Sequence, residues 1–234
     1  MKLTRFSVLY ALFVFSFILT GCEDFTVKVE NSTIKVEFAK TEAVVPEKTK
    51  TTSFDHILVL DWAKFYKDEF GLDVTVPPIP EPSPEHWDIF IPTGLTENKA
   101  IEACKNNFPV WQYADDLNTA IVHNDRDPKV NSPYFVRFKK TVEADEDLKN
   151  LSANDLLAKN VKVVTLLERI ILEFAYFKKT GQHLDIDCIT LCSGSRDSDG
   201  GVPHAYWRGG GFYVGWSYAG RSAPRLRSRT VVSY

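Results

Sequence analysis

Residues 165–181 read Thr-Leu-Leu-Glu-Arg-Ile-Ile-Leu-Glu-Phe-Ala-Tyr-Phe-Lys-Lys-Thr-Gly and carry the strongest structural signal in this chain of 234 residues. Apolar side chains recur in this stretch at the three- and four-residue spacing of an amphipathic helix. The recurring residues are Leu166, Leu167, Ile170, Ile171, Phe174 and Phe177. Lys178 and Lys179 precede Gly181, as cations and glycine commonly do at a helix C-terminus. The pattern predicts a helix over Thr165–Lys179 whose apolar stripe packs into the core.

Shorter segments that precede this helix show strand and helix patterns in turn. The predicted strands are Trp87–Ile91, Val110–Tyr113 and Tyr134–Val142. Leu95-Thr96 is expected to open a helix, and Ser152 with Asp155 is a capping signal for a second, short one. The sequence therefore predicts an α+β fold, in which two or three helices support a mixed or antiparallel sheet.

The first 22 residues have the features of an export signal that ends in a lipidation site. An uncharged stretch from Phe6 to Leu19 follows two positive residues and is shorter than the roughly 20 apolar residues that cross a bilayer. Leu-Thr-Gly-Cys at residues 19–22 resembles the lipobox of bacterial lipoproteins, whose cysteine is lipidated and becomes the first residue after cleavage. We predict a signal peptide over 1–21 and a lipid anchor on Cys22, which places the chain in the cell envelope outside the cytoplasm. An ordinary signal peptide followed by a chance cysteine is the alternative.

Between this anchor and residue 86 the chain has its own organisation. Alternating apolar residues predict a hairpin over Thr26–Phe38. A helix is expected over residues 53–70, ended by Gly71. Five prolines within residues 77–84 favour an extended, stiff segment, so a domain boundary is expected there.

Charge and cysteine content narrow the functional classes. The formal net charge is −3, and it becomes −5 without residues 1–21, so we expect no nucleic-acid partner. In addition to the anchor cysteine, the chain contains Cys104, Cys188 and Cys192. Extended chain would hold Cys188 and Cys192 too far apart for a disulfide, so a bond from Cys104 to one of them is expected. No zinc-binding pattern of Cys and His is present, and we expect neither a metal nor another cofactor.

Residues 201–234 differ in composition from the rest of the chain. Lysine outnumbers arginine 18 to 5 over residues 1–200, whereas the tail contains five arginines, no lysine, and no Asp or Glu. Phe212–Trp216 and Thr230–Val232 have strand patterns, which predicts two antiparallel strands with variable residues between fixed apolar ones. Tyr, Ser, Gly and Arg at exposed positions are typical of adaptable binding surfaces.

The tail also contains the residue types that arise when asparagine codons ending in C vary only at their adenines. Such codons give Ala, Gly, Ser, Arg, Tyr and His, whereas the codons of Trp, Phe and many Val contain no adenine and stay fixed. In this respect the tail resembles the variable proteins of diversity-generating retroelements. The resemblance implies a C-type-lectin-like C-terminal part that displays diversified residues, encoded by codons 202–229, to a ligand.

Short elements across residues 87–234 also resemble a group of uncharacterised exported proteins of candidate-phylum bacteria. The elements are Ser193-Gly-Ser-Arg196, Ser198-Asp-Gly200, the pair Trp207 and Trp216, Leu226-Arg-Ser-Arg229, Thr165-Leu-Leu-Glu-Arg169 and His183-Leu-Asp185. The resemblance assigns no role to any single residue. It implies export and a shared C-terminal module.

These observations predict a binding protein and not an enzyme. The expected ligand-binding residues are His204, Tyr206, Trp207, Arg208, Tyr213, Trp216, Ser217, Tyr218, Arg221 and Arg225. The expected partners are a membrane, through the lipid, and a protein or glycan ligand. The predicted domains are a signal peptide (1–21), a lipidated β-rich tether with a proline-rich linker (22–85) and an α+β ligand-display domain (86–234).

Four alternatives to this interpretation remain open. The tail is either a recognition surface or a hairpin that only completes the sheet. A cell-envelope hydrolase would need a cleft that joins Cys or His to Asp, such as Cys104 with His123. Five arginines without nearby acid would also suit an anionic lipid or polysaccharide surface, and Asp197–Gly200 has part of a calcium loop.

Overall fold

The computed structural model describes residues 25–30, 33–38, 58–130 and 132–234. The chain divides into two compact units, Met1–Thr52 and Ser53–Tyr234. In the first unit, β1 (Phe25–Glu30) and β2 (Thr33–Phe38) pair antiparallel, with Val29 opposite Ile34. The predicted hairpin is therefore confirmed.

The predictions for residues 1–22 lie outside the described residues, and these include both the signal peptide and the lipidated Cys22. The expected start of a helix at Ser53 lies outside them as well. Within the described ranges, no helix combines the length and the apolar character that crossing a membrane requires.

In the second unit, the described residues form five helices and ten strands. The helices are α1 (Trp62–Phe70), α2 (Glu97–Lys105), α3 (Leu117–Ala120), α4 (Ala153–Ala158) and α5 (Leu166–Thr180). The strands are β3 (His86–Ile91), β4 (Val110–Gln112), β5 (Ile121–Asn124), β6 (Tyr134–Lys139), β7 (Ile189–Leu191), β8 (Ser195–Asp197), β9 (Val202–Arg208), β10 (Gly211–Ser217), β11 (Leu226–Arg227) and β12 (Val232–Ser233). The α+β class is confirmed. The helices exceed the predicted two or three because α1 belongs to the same unit, and because the four-residue α3 is too short to show a helical period.

The described part of this unit contains three sheets. The largest has the strand order β11-β7-β9-β10-β4, and it is mixed because β4 and β11 each pair in parallel with a neighbour. A three-stranded sheet has the order β12-β6-β3, and β5 pairs with β8. Helix α5 contacts both β3 and β9, so it lies between the two larger sheets and links them through the core.

Helix α5 confirms the strongest sequence prediction. Thr165 and Glu168 form a reciprocal capping box at its start, and Gly181 ends it in the left-handed conformation with φ of 69°. Every residue from Leu166 to Tyr176 is buried, including charged side chains on the side predicted to be polar. Up to Tyr176 the helix is therefore enclosed on all sides, and not on one stripe as predicted, whereas its last turn is exposed.

Helix α1 corrects the predicted domain boundary at residues 85/86. It begins after Asp61, whose side chain accepts a hydrogen bond from Lys64 N, and it ends at Gly71 as predicted. Trp62 and Tyr66 are buried in the main core, and Tyr66 Oη donates a 2.5 Å hydrogen bond to the carbonyl of Phe90. The residues from 58 onward thus belong to the same folded unit as the domain predicted to begin at residue 86.

The C-terminal strands pair differently from the prediction. The predicted strand Phe212–Trp216 forms the centre of β10, but its antiparallel partner is β9, which the sequence pattern missed. Gly209 and Gly210 connect them with φ of 60° and 82°, as a two-residue turn of type I′ requires. The predicted pairing of Phe212–Trp216 with Thr230–Val232 is wrong, because β12 pairs with β6 in the other sheet.

The predicted disulfide is wrong as well. Cys104, Cys188 and Cys192 are free thiols, and all three are buried. Burial raises the pKa of each thiol above its ordinary value, and the charge of Glu173 raises that of Cys104 further. Cys104 and Cys192 pack as small apolar groups of the main core, whereas Cys188 Sγ accepts a hydrogen bond from Ala144 N and donates one to Asp185.

Candidate functional site

The two faces of the β9–β10 hairpin carry different side chains. Because strand residues alternate in direction, Ala205, Phe212 and Val214 point to the core, where each is fully buried. The opposite face carries Tyr206 and Tyr213, which are half-buried. The hairpin is thus anchored by one face and presents the other.

Three aromatic residues on the outer face form one row across three strands. Tyr213 is directly opposite Tyr206 on β9 and directly opposite Trp111 on β4. The rings of Tyr206 and Tyr213 are stacked, with centroids 5.4 Å apart, and those of Tyr213 and Trp111 are 5.9 Å apart. Trp111 is 53% exposed. We call Trp111, Tyr213, Tyr206 and the neighbouring His204 the aromatic strip.

His204 ends the strip in a closed environment. Its ring lies 5.9 Å from that of Tyr206 and covers Gly215, where a Cβ atom would overlap the imidazole. Its Nδ1 is 3.0 Å from the hydroxyl oxygen of the buried Ser217. Burial, assisted by the positive charge of Arg221, lowers the pKa of His204 from 6.5 to about 4. The imidazole is therefore neutral at physiological pH.

Five of the ten predicted site residues lie on the outer face of the hairpin. His204, Tyr206, Tyr213 and Ser217 share the outer face, and Arg208 follows with the same alternation at the exposed end of β9. Ser217 is 2% exposed, so it supports His204 and is closed to a ligand. Four of these five positions thus remain candidates for direct contact.

Trp207 and Trp216 are corrections to the predicted site. Both alternate toward the inner face of the hairpin. Trp207 is stacked on His183 with ring centroids 3.2 Å apart, against the core. The indole of Trp216 donates a hydrogen bond to the carboxylate of Asp197, and its ring packs in place of a side chain at Gly201. These two tryptophans support the hairpin.

The remaining predicted residues follow β10. Tyr218 is 70% exposed and packs edge-on against Trp216, with centroids 4.5 Å apart. Arg221 is exposed, and its charge acts on His204. Arg225 donates to the backbone carbonyls of Asp187 and Ile186, which hold it on the chain segment that precedes β7. Arg221 therefore belongs with the strip, whereas Arg225 does not.

Trp111 is the site residue that the sequence did not reveal. Its strand was predicted, but β4 pairs in parallel with a strand about 100 residues later, and no local pattern indicates such a partner. The only signal was an aromatic residue in the short run Val110–Tyr113. The sequence predicted that this run is a strand, but it did not predict which strands are its neighbours in the sheet.

The Ser193-Gly-Ser-Arg196 element supports the helix and not the site. Ser195 Oγ accepts a 2.9 Å hydrogen bond from Leu166 N, one of the unpaired amides at the start of α5, and donates to Asn124. A Cβ at Gly194 would lie 2.9 Å from the carbonyl oxygen of Val163. This element therefore fixes the start of α5 against β8.

The Leu226-Arg-Ser-Arg229 element is structural too. Ser228 Oγ donates to the carbonyl of Leu191, and Arg227 forms a 2.5 Å ion pair with Glu146. Arg229 is 1% exposed and binds the carboxylate of Asp185 at 2.7 Å. The chain after residue 225 is thereby tied to the core.

A buried ionic network surrounds Asp185. Arg169 and Arg229 both bind its carboxylate, at 2.8 and 2.7 Å. Burial alone would raise the pKa of Asp185, but the two guanidinium charges outweigh it and lower the pKa below the ordinary value. Asp185, Glu143 and Cys188 have ligand atoms within 4.8 Å of one another. The arginines already neutralise this group, and Glu143 accepts three backbone N–H bonds, so its oxygens are committed to the fold.

The groups considered for calcium binding and for hydrolysis have structural partners as well. Asp197 accepts backbone bonds from Asp199 and Gly201, in addition to the Trp216 indole. Cys104 is fully buried with a raised pKa, whereas His123 is exposed and pairs with Asp125. Within the described residues, the strip is the surface on which aromatic and cationic side chains of the tail meet.

No family model matches the chain, and neither a curated protein nor a solved structure was found to be similar to it.

Proposed function

We propose that this chain is a lipid-anchored protein of the bacterial cell envelope that binds a glycan or protein ligand through the aromatic strip. The observation that carries the proposal is the row formed by Trp111, Tyr213 and Tyr206 on the outer face of the largest sheet. Accessible aromatic rings supply a large contact area at low conformational cost, and they dominate recognition surfaces.

The core beneath the strip holds it in one conformation. The opposite face of the hairpin is fixed in the core by Phe212 and Val214. The segment that follows is fixed by Ser228 and Arg229. A surface held rigid before a ligand arrives loses less conformational entropy when it binds one.

The proposed anchor is the lipid on Cys22. A lipidated cysteine stabilises attachment to a membrane when it carries two or more acyl chains. The wild-type protein expressed in a lipoprotein-processing bacterium should incorporate labelled palmitate and partition into detergent. Cys22→Ala should abolish both. Equal labelling of the two proteins would overturn the anchor without affecting the binding proposal.

The proposal also includes a C-type-lectin-like C-terminal part and diversification of its codons. Half-buried or exposed positions such as Tyr206, Tyr218 and Arg221 tolerate exchange of the side chain. The buried Ser228 and Arg229 do not, so we place the diversified codons within residues 204–225. Deep sequencing of codons 202–229 in a natural population should find variation at exposed positions and constancy at Val202, Phe212 and Val214. Uniform codons would overturn diversification alone.

Glycan and protein arrays test the binding proposal directly. The probe is residues 22–234 with Cys22→Ser, compared with the same protein carrying Trp111→Ala and Tyr213→Ala. We expect wild-type binding to a limited set of ligands and a loss of affinity of at least about tenfold in the double variant.

Two exposed apolar residues outside the strip provide the matched control. Val122 and Val130 are 62% and 82% exposed, and the double variant Val122→Ala, Val130→Ala should bind as the wild type does. Thermal unfolding of all three proteins verifies that the fold is retained. The proposal is wrong if the wild type binds nothing on either array, or if loss of Trp111 and Tyr213 leaves binding unchanged.

A further inference from the structure

We infer that the aromatic strip binds an acidic oligosaccharide, whose sugar rings stack on Trp111, Tyr213 and Tyr206 and whose carboxylates pair with Arg208 and Arg221. This inference rests on the proposed function and names the ligand class. It follows from the pairing state of the arginines and from the shape of the strip.

Most arginines in the described residues already have partners. Five of them form ion pairs with carboxylates: Arg126, Arg137, Arg169, Arg227 and Arg229. Arg196 and Arg225 donate to backbone carbonyls. Within the described part of the chain, the guanidinium groups of Arg208 and Arg221 have neither kind of partner, and both residues are exposed. Two unpaired guanidinium groups therefore remain: Arg208 ends β9 on the outer face of the hairpin, and Arg221 follows β10.

The two guanidinium groups lie on either side of Tyr206 along β9, whereas the row of rings runs across the strands. Arg221 lies close enough to His204 for its charge to lower the pKa of the imidazole. Arg208 lies four residues beyond His204 on β9, which is about 13 Å of extended strand. Tyr206 lies between them, with Tyr213 and Trp111 beside it in the same row. A ligand that reaches both cations is longer than one sugar ring, so an oligosaccharide fits this span.

The chemistry of the strip matches a sugar acid. The face of a pyranose ring carries C–H groups with a partial positive charge, which pack against the negative face of an aromatic ring. Guanidinium groups bind carboxylates through two parallel hydrogen bonds. The tail itself contains no Asp or Glu. His204 is neutral near pH 7, so its imidazole adds no positive charge to the strip.

An anionic membrane suits the strip less well. Peripheral binding to anionic lipid typically uses clusters of about four to eight basic residues. The surface around the strip offers two arginines, Arg208 and Arg221. Aromatic rings aligned across the strands separate them. Ordered rings with cations at the edge favour a chain of sugar rings over a field of headgroups.

The test is calorimetric titration of residues 22–234 carrying Cys22→Ser with a panel of uronate oligosaccharides, each compared with its carboxyl-reduced, neutral counterpart. Anionic phosphatidylglycerol vesicles form the third arm. We expect binding to at least one uronate oligosaccharide and about tenfold weaker binding to its reduced form. Arg208→Gln and Arg221→Gln should each weaken uronate binding by a similar factor. Lys179→Gln, at an exposed position on α5, should not.

The outcomes separate this inference from the proposed function. Binding that is confined to neutral glycans, to proteins or to vesicles would overturn the acidic ligand. If such neutral-glycan or protein binding required Trp111 and Tyr213, the proposed function would stand. Uronate binding that is equal in Arg208→Gln, Arg221→Gln and the wild type would overturn the role of the arginines. Absence of binding to every glycan and protein tested would overturn both.

Discussion

At the scale of single residues, His204 makes the stability of the folded protein depend on pH. Its pKa is lowered from 6.5 to about 4 because the folded chain buries the imidazole beside Arg221. The unfolded chain therefore takes up a proton between these two pH values while the folded chain does not, so stability falls as pH decreases through this range. We expect the free energy of unfolding to fall by about 3 kcal/mol between pH 6.5 and pH 4.

His204→Gln removes this proton uptake while it keeps a polar side chain next to Ser217. We expect chemical denaturation to show that wild-type stability falls more steeply than that of His204→Gln between pH 7 and pH 4. His123→Gln provides the control, because His123 is exposed and should leave the wild-type slope in place. A constant difference in stability between wild type and His204→Gln over this pH range would contradict a buried, neutral imidazole.

Gly215 is required because the His204 ring occupies the space of a side chain there. Gly215→Ala should displace the imidazole and separate it from Ser217. Once displaced into water, His204 should titrate near its ordinary pKa of about 6.5. Imidazole signals in an NMR pH titration measure this value directly. A pKa that stays near 4 in the variant would show that the ring does not depend on the glycine.

At the scale of secondary-structure elements, Ser195 is expected to hold the start of α5. Its hydroxyl is the acceptor for Leu166 N, and both groups are buried. Ser195→Ala leaves this amide and Asn124 without their partner, so we expect a loss of stability of about 1–3 kcal/mol. Ser222→Ala, at an exposed position in the tail, should change stability little. Equal midpoints of urea unfolding for the wild type and Ser195→Ala would contradict this role.

The sequence predicted elements well where the signal was local. The apolar period and Gly181 predicted α5, and the alternation at Phe212–Trp216 predicted β10. Strand β9 was missed because Pro203 and Ala205 have low strand propensity, although Pro203, Ala205 and Trp207 alternate with His204, Tyr206 and Arg208. The segment after residue 225 was misassigned because its extended residues are held by side chains such as Arg229, and not by pairing with β10.

At the scale of the whole molecule, the Asp185 network joins three distant parts of the chain. The carboxylate binds Arg169 of α5 and Arg229 of the tail, while Arg229 also donates to the carbonyls of Thr141 and Val142. Asp185 has φ of 56°, a conformation that asparagine adopts equally well. Asp185→Asn therefore removes the charge without straining the backbone.

We expect Asp185→Asn to destabilise the protein by about 3–5 kcal/mol, because it leaves buried guanidinium charge without its carboxylate. Asp187→Asn is the matched control, since Asp187 is exposed two residues away. Urea unfolding of both variants measures the difference. Similar stability of Asp185→Asn and Asp187→Asn would show that the network contributes little to holding the tail on the core.

The arrangement of the site could not be predicted from the sequence, because it depends on contacts between distant segments of the chain. The outward residues Tyr206 and Tyr213 were predicted from tail composition, whereas Trp111 joins them only through a parallel pairing of distant segments. Trp207 and Trp216 were assigned to the ligand because the alternation of β9 relative to the core was unknown. Which face of a strand is buried depends on the neighbouring layer, here α5 and the core beneath the hairpin.

The most direct test of the central claim follows the five indole N–H signals of the protein by NMR while ligand is added. The ligand is the array glycan or protein that binds most strongly to residues 22–234 carrying Cys22→Ser. We predict a large shift of the Trp111 signal, which belongs to the strip, and small shifts of Trp207 and Trp216, which support the hairpin from its inner face. An unshifted Trp111 signal in the presence of saturating ligand would contradict recognition through the aromatic strip.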